Sequence, residues 1–199
     1  MNVALILAHP SSSSFCATLA KDCADALRAG GAGVLVRDLY GLDFDPRLPV
    51  EELPASGAGP RADVAAERAM LASIDVFLLV YPLWFNGPPA MLKGYADRVF
   101  SGGFGFTSTA HGADPLLIGK TLVSVTTSGA PDHWVQKTGV LSTLIKGFDL
   151  HLCAMTGMRF EGHEHLGGIG GEMNEDFAEA KRAQVRTFVA RTVLGIEPE

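Results

Sequence analysis

The first eight residues constrain the fold of this chain more than any other segment. Residues 2–8 read NVALILA, an aliphatic run without alternating polar positions. A strand exposed on one face alternates apolar and polar residues, whereas an uninterrupted run is typical of a strand covered on both faces, as in a parallel sheet. The sequence therefore predicts an α/β protein whose sheet is covered by helices on both sides.

The alternation of strand and helix repeats along the chain. Apolar residues recur at helical spacing from Cys16 to Leu27, and Gly30 and Gly31 mark the end of that helix. Further strands are predicted at 34–39, 75–81, 120–127 and 154–160, and further helices at 63–73, 88–100, 141–152 and 175–194. Residues 1–199 are therefore expected to form a single domain around a doubly wound, five-stranded parallel sheet.

Charge and composition exclude several classes of protein. The net charge is −6, and lysine and arginine do not cluster, which argues against a nucleic-acid partner. No apolar run is long enough to span a bilayer, and the first residues lack a basic leader, so a cytoplasmic location is expected. Cys16, Cys23 and Cys153 show no CxxC pairing and are interpreted as core thiols.

Three loops follow strands whose carboxyl ends are expected to meet at one edge of the sheet, where such folds bind ligands. The first loop reads HPSSSSF and places hydroxyls and backbone amides at a helix N-terminus, which favours a phosphate. It matches neither the GxGxxG fingerprint nor a P-loop. The alternative is that Ser14 only caps the helix.

The second and third loops favour a planar ligand. In YPLWFNGPP, the side chains of Leu83, Trp84 and Phe85 directly follow a buried strand, where they either wall a ligand site or pack in the core. In TTSGAPDHW, small residues end a strand and allow the backbone to approach a ring closely. Together the three loops predict a nucleotide or flavin site.

Four segments resemble the NAD(P)H:quinone oxidoreductase (DT-diaphorase-like) family, which also includes ancillary subunits of bacterial potassium-efflux systems and drug-activity modulators. The resemblance covers most of the chain, and the third segment is long and specific. It implies a flavodoxin-like fold and a bound flavin. The segments are LAHPSSSSF at 7–15, DLYGLDFDP at 38–46, YPLWFNGPPAMLKGYADRVF at 81–100 and SVTTSG at 124–129.

The resemblance also implies a role for individual positions in binding the flavin. The phosphate or ribityl chain would be bordered by His9, Ser14, Phe15 and Cys16. The isoalloxazine would be held by Pro82, Leu83, Trp84 and Phe85. The cradle would be completed by Thr126, Thr127, Ser128 and Gly129, with Trp134 nearby.

The chain departs from the long members of that family in its proton-transfer residues. Those members have a tyrosine and, six residues later, a histidine, where this chain has Trp134 and Val140. They also have asparagine in place of Cys16 and glycine in place of Ser128. His133 is the remaining candidate for a catalytic acid, and the alternative is that it is an ordinary surface histidine.

The resemblance implies ping-pong hydride transfer from NADPH or NADH through the flavin to a quinone-type acceptor. The short middle loop favours FMN, with FAD as the alternative. The apolar stripe of Leu141, Leu144, Ile145 and Phe148, together with the resemblance, suggests a homodimer. The alternative functions are a flavin-binding regulatory subunit of an ion-transport system and a flavodoxin-type electron carrier.

One further segment has a composition that suggests a metal site. Residues 160–171 read FEGHEHLGGIGG and bring two histidines and two glutamates close together. Ligands so tightly spaced need a definite turn or helix to converge on one ion, so no metal is predicted. The glycine-rich end predicts instead a mobile loop near the acceptor pocket.

Overall fold

The computed structural model describes residues 1–110, 112–171 and 173–196. Its centre is a parallel sheet of five strands, which confirms the predicted fold class. Its strands are β1 (Asn2–Leu7), β2 (Gly33–Asp38), β3 (Val76–Pro82), β6 (Thr121–Thr127) and β7 (Arg159–Leu166). They are arranged in the order β2-β1-β3-β6-β7.

Helices cover both faces of this sheet, and each face has its own apolar core. On one side, residues of α1 and α7 pack against β1 positions Val3, Leu5 and Leu7. On the other, residues of α2, α3 and the helical stretch before β7 pack against Ala4 and Ile6. The helices are α1 (Phe15–Ala29), α2 (Ala62–Leu71), α3 (Ala90–Val99), α4 (Asp132–Lys137), α5 (Val140–Leu144), α6 (Leu150–Thr156) and α7 (Glu175–Leu194).

The fifth strand lies later in the chain than the sequence predicts. Residues 154–156 end α6, and the helix terminates at Gly157, whose φ of +79° favours glycine. The strand β7 then takes up residues 159–166, so the predicted loop over 160–171 is wrong for its first half. Two inward positions of β7 are occupied by histidines that form hydrogen bonds inside the protein. The strand therefore lacks the apolar residues at alternate positions from which a strand is predicted.

The pairing of β6 with β7 contains one irregularity. Leu122 pairs with Phe160, but the next residue, Val123, pairs with Gly162, so Glu161 is an extra residue in β7. Such a β-bulge reverses which later residues of a strand face each side. Beyond it, His163 lies beside Ser124 and His165 beside Thr126.

Helices α5 and α6 form one stretch interrupted by a π-helical turn over Ile145–Asp149. The apolar stripe predicted there packs largely inward, because Leu144 and Phe148 belong to the core and Leu141 packs against it. The wide turn also directs Asp149, a charged residue, into the interior. A π turn of this kind often marks a functional position.

Two features outside the sheet were not predicted. A small antiparallel hairpin pairs β4 (Phe106–Thr109) with β5 (Gly112–Pro115). The irregular segment 43–60 is anchored to α3, because Arg98 bonds Glu52, Asp63 and the Asp45 carbonyl. Across the three described ranges, every helix is too short or too polar to cross a membrane.

Candidate functional site

A cleft of about 210 Å³ opens at the carboxyl ends of β1, β3 and β6. It lies where the winding of the sheet reverses, because β1 pairs with β2 on one side and with β3 on the other. Its walls come from the three predicted loops and two further residues, Cys16 and Ile169. The lining residues are His9, Ser14, Phe15, Cys16, Pro82, Leu83, Trp84, Thr127, Ser128, Gly129 and Ile169.

The first loop places a helix N-terminus, which favours an anion, at the cleft. Ser14 caps α1 by accepting a hydrogen bond from the Ala17 amide at 3.1 Å, as the capping alternative predicts. The first amides of a helix have no acceptor within the helix, and its dipole favours a negative group there. Nδ1 of His9 lies 3.0 Å from the Ser11 amide nitrogen and 3.2 Å from the Ser11 carbonyl oxygen, so this loop holds the ring at the cleft.

The second loop places an aromatic ring at the mouth of the cleft. Trp84 and Gly87 exchange two backbone hydrogen bonds of 3.1 Å, and the two residues between them, Phe85 and Asn86, have φ values of +48° and +60°. This is the geometry of a tight two-residue turn with both central residues left-handed. The turn keeps Trp84 at the cleft and directs Phe85, which is fully exposed, away from it.

The end of β6 contributes one of its two threonines to the cleft. Thr127 and Thr126 point to opposite faces, as successive residues of a strand do. Thr127 lines the cleft beside Cys16, whereas the hydroxyl of Thr126 bonds two histidines behind it. Burial raises the pKa of the Cys16 thiol to about 12, against the opposing effect of a hydrogen bond with Thr127. Cys16 therefore acts as a small wall residue, because its thiolate is scarcely populated.

The loop after β6 is held in place by the end of β7. The Ser128 amide donates to the Leu166 carbonyl at 3.1 Å, and the Ile169 amide donates to the Ser128 carbonyl at 2.9 Å. This pairing brings Ile169 into the cleft, a position that sequence reasoning missed because it placed β7 too early. A Cβ on Gly129 would lie 3.7 Å from the Ile169 carbonyl oxygen, an ordinary contact.

Four of the proposed site residues do not line this cleft. Phe85 and Thr126 point elsewhere, as described above. Trp134 and His133 lie on α4 with exposed side chains. The structure gives His133 no hydrogen bond or ion pair within the described ranges, so its role as an acid stays a prediction.

A larger cavity of about 470 Å³ lies beside Arg68 and Arg98, away from the strand ends. The guanidinium groups there are already engaged by the protein. Arg68 donates to the carbonyls of Val99, Gly102 and Arg98, and Arg98 bonds two carboxylates. The cleft at the strand ends is therefore the better candidate, although it is smaller.

The residues of the cleft fit a planar ring with a phosphate at one end. Amides and hydroxyls at the start of α1 suit the phosphate. Trp84, Leu83 and Pro82 suit the face or edge of a ring system. The lining residues include no aspartate or glutamate that would repel an anion.

Comparison with known proteins identifies relatives that match most of this chain. A family profile described as the flavodoxin-like fold matches residues 1–189. An uncharacterized NAD(P)H oxidoreductase of Haemophilus influenzae is 35% identical over 175 residues, which is 83% of this chain and 86% of that protein. NAD(P)H dehydrogenase [quinone] 1 of Cavia porcellus is 28% identical over 75% of this chain, and the match covers 63% of its own length, less than two thirds.

Solved structures show the same fold. The NAD(P)H:quinone oxidoreductase of Methanothermobacter marburgensis superposes with a TM-score of 0.83 and 24% identity, covering 100% of this chain and 99% of its own.

Proposed function

This chain belongs to the family with the flavodoxin-like fold, and from that premise we infer that it is an NAD(P)H-dependent oxidoreductase that reduces quinones through a bound flavin. The observation that carries the inference is the cleft at the carboxyl ends of β1, β3 and β6. It combines an anion-binding helix N-terminus with an aromatic wall. The names of the relatives in Haemophilus influenzae and Cavia porcellus support the same activity.

The residues of the cleft bind and orient the reactants. The start of α1 holds the phosphate, and Trp84 with Leu83 and Pro82 holds the ring. The flavin, when bound, supplies the hydride chemistry. Ser128 and Gly129 border the same ring site from the end of β6.

The geometry supports three further predictions: FMN as the flavin, a ping-pong order of substrates and a homodimer. The cleft is small and the loops around it are short, which favours FMN over FAD. One opening serves both substrates, which favours a ping-pong order in which the oxidised nicotinamide leaves before the quinone enters. Fully exposed Phe85, beside the cleft, favours a homodimer in which a second copy covers this turn.

Absorbance spectroscopy of the purified protein tests the proposal directly. We expect a flavin spectrum, and chromatography of the released cofactor should identify FMN. We also expect oxidation of NAD(P)H with a small quinone, with parallel lines in double-reciprocal plots. A preparation that stays colourless after incubation with FMN and FAD would overturn the proposal, and intersecting lines would reject the shared opening.

The two alternative functions predict different results. A flavodoxin-type carrier would exchange single electrons rapidly with a protein partner and would not turn over quinones. A regulatory subunit would bind flavin and co-purify with a membrane transport protein. We expect neither result as the main activity.

A further inference from the structure

Behind the cleft, five side chains form a continuous line of hydrogen bonds from the protein interior to the cleft wall. We call it the Asp149–Ser128 line, or simply the line. Oδ2 of Asp149 lies 2.6 Å from Nδ1 of His163, and Nε2 of His163 lies 2.8 Å from Oγ1 of Thr126. Oγ1 of Thr126 lies 2.9 Å from Nδ1 of His165, and Nε2 of His165 lies 3.1 Å from Oγ of Ser128. Ser128 lines the cleft.

The fold brings these residues together by two local irregularities. The π-helical turn directs Asp149 inward, where its side chain and that of His163 are fully buried. The β-bulge at Glu161 turns His163 and His165 toward the face of β6 that carries Thr126. Loss of the π-helical turn alone, or of the β-bulge alone, would break the line.

The hydrogen bonds fix the direction in which the protons point. The hydroxyl of Ser128 donates to the Ala130 carbonyl at 3.0 Å, so Ser128 accepts from Nε2–H of His165. Burial lowers the pKa of His165 to about 4, so this ring is neutral near pH 7 and its Nδ1 accepts from the Thr126 hydroxyl. Thr126 then accepts from Nε2–H of His163. The donors of His163, Thr126 and His165 therefore all point toward Ser128, whose own hydroxyl points to the Ala130 carbonyl.

The inner end of the line holds one proton. Since Nε2 of His163 is already a donor, the 2.6 Å contact between its Nδ1 and Asp149 requires a proton between them. The Ser124 hydroxyl donates to the other oxygen of Asp149 at 2.9 Å. Both oxygens of Asp149 are therefore engaged, one by the Ser124 hydroxyl and the other by the proton shared with His163.

On the basis of the proposed function, we propose that the Asp149–Ser128 line stores one proton and delivers it to the quinone in the cleft. A quinone becomes a hydroquinone by gaining two electrons and two protons. The transferred hydride brings both electrons and one proton, so the second proton must come from another group. This protein has Trp134 and Val140 where the long relatives have a tyrosine and a histidine. The line of hydrogen bonds from Asp149 to Ser128 would supply the second proton instead.

The transfer balances along the line. The Ser128 hydroxyl first rotates from the Ala130 carbonyl toward the acceptor. Its O–H bond then breaks as an O–H bond forms on the acceptor, and Ser128 takes the proton from Nε2 of His165. Nδ1 of His165 takes the hydroxyl proton of Thr126, which takes the proton from Nε2 of His163. His163 ends neutral, with its remaining proton on Nδ1 toward ionised Asp149. One proton from solvent restores the line after the product leaves.

Other titratable groups face the line from neighbouring elements. Tyr81 on β3 faces Asp149, and burial raises its pKa well above the usual value, so it stays protonated. At the outer end, Asp132 and Lys181 form an ion pair of 2.7 Å, and the two charges act on His165 in opposite directions. These groups leave the Asp149–His163 pair as the store.

Nitrogen NMR of the histidine side chains in the flavin-free protein tests the direction of the line without any turnover. At about pH 7, we expect His165 to carry its proton on Nε2 alone and His163 to be protonated on Nε2, with a shared or second proton at Nδ1. A His165 ring protonated at Nδ1 would reverse the line and overturn the proposal.

The second test interrupts the line at its centre. Thr126→Val keeps the shape of the side chain and removes the hydroxyl, whereas Thr126→Ser keeps the hydroxyl. We expect Thr126→Val to slow single-turnover quinone reduction by on the order of 100-fold, the contribution of a general acid, and Thr126→Ser to restore most of the rate. Thr121→Val makes the same substitution at the other end of β6 and should leave the rate unchanged.

The experiments separate failure of this inference from failure of the proposed function. Flavin binding and NAD(P)H oxidation with a wild-type quinone rate in Thr126→Val would retain the proposed function and reject the line. A protein that binds no flavin would reject the proposed function, and the NMR measurement would still decide whether the line points toward the cleft. If Thr126→Val fails to fold, the same NMR measurement on the wild-type protein decides.

Discussion

The rings of Trp84 and His9 lie close together in the wall of the cleft, with centroids 6.1 Å apart and planes tilted by 58°. They come from loops after β3 and β1, two adjacent strands at the point where the winding of the sheet reverses. Neither ring stacks on the other, so both offer a surface to a bound ligand.

Trp84→Ala should weaken flavin binding, because it removes the aromatic wall at the mouth of the cleft. We expect the dissociation constant of the flavin to rise by about tenfold or more, in line with the stacking and buried area of a tryptophan. Fluorescence titration of the flavin-free protein measures it. His133→Ala is the matched control, because His133 is exposed on α4 and should leave the dissociation constant unchanged. A larger effect of His133→Ala than of Trp84→Ala would contradict the assignment of the wall.

Mild acid should destabilise the protein through His165. Burial lowers the pKa of this residue from 6.5 to about 4, so the unfolded chain binds more protons than the folded one between these values. The free energy of unfolding should therefore fall as the pH drops from about 6.5 toward 4, by less than about 1.4 kcal/mol per pH unit, the limit for one proton. Urea titrations at several pH values measure this slope.

The control for that slope is His165→Gln, which removes the titrating ring and keeps a polar side chain. In this variant, the slope between about pH 5.5 and 7 should be flatter than in the wild-type protein. An identical slope in both proteins would show that another group is responsible.

Arg98→Met should unfold at a lower urea concentration, because it strips a buried ion-pair cluster of its cation. The Arg98 side chain is 1% exposed and binds Glu52 at 2.7 Å and Asp63 at 2.8 Å. Leaving a buried carboxylate unpaired costs about 3–5 kcal/mol. Arg47→Met is the matched control, since the Arg47 side chain is 87% exposed in its pair with Asp45 and its loss should barely move the midpoint. Equal shifts in both variants would show that the burial of Arg98 is unimportant.

The sequence predicted the central sheet well because its inner strands are uniformly apolar. β1, β3 and β6 end within one residue of their predicted positions, and the cleft lies at their carboxyl ends as expected. Ten of the thirteen proposed cofactor-binding residues line that cleft. Short motifs that follow a buried strand are positioned by the strand itself, so their place could be read without coordinates.

The parts that escaped prediction depend on contacts between distant segments. The edge strand β7 has histidines at inward positions, and their burial is explained by hydrogen bonds with Thr126, Asp149 and Ser128. Phe85 was assigned to the ring wall from its place after a buried strand and by resemblance, but a left-handed turn points it away from the cleft. Neither a bonded interior histidine nor the sign of φ at a phenylalanine leaves a signal in apolar periodicity.

Phe85→Asn should separate the proposed homodimer into monomers while leaving the turn intact. Asparagine tolerates the left-handed conformation better than phenylalanine, so the fold should not suffer, but the exposed ring is lost. Light scattering at micromolar concentration should give about twice 21.0 kDa for the wild-type protein and a lower mass for the variant. A wild-type mass near 21.0 kDa would reject the dimer, and an unchanged dimer in Phe85→Asn would place the interface elsewhere.

The extra residue in β7 makes the interior of this protein sensitive to the length of the strand as well as to its composition. If β7 paired regularly from Phe160, with Glu161 opposite Val123 and no bulge, the residues after Glu161 would exchange sides. Glu164 would then lie beside Thr126, and both histidines of the line would turn to the opposite face. Deleting Glu161 would instead remove the bulge and keep every later pair, so the proton store depends on the match between the length of β7 and its bulge, and not on either alone.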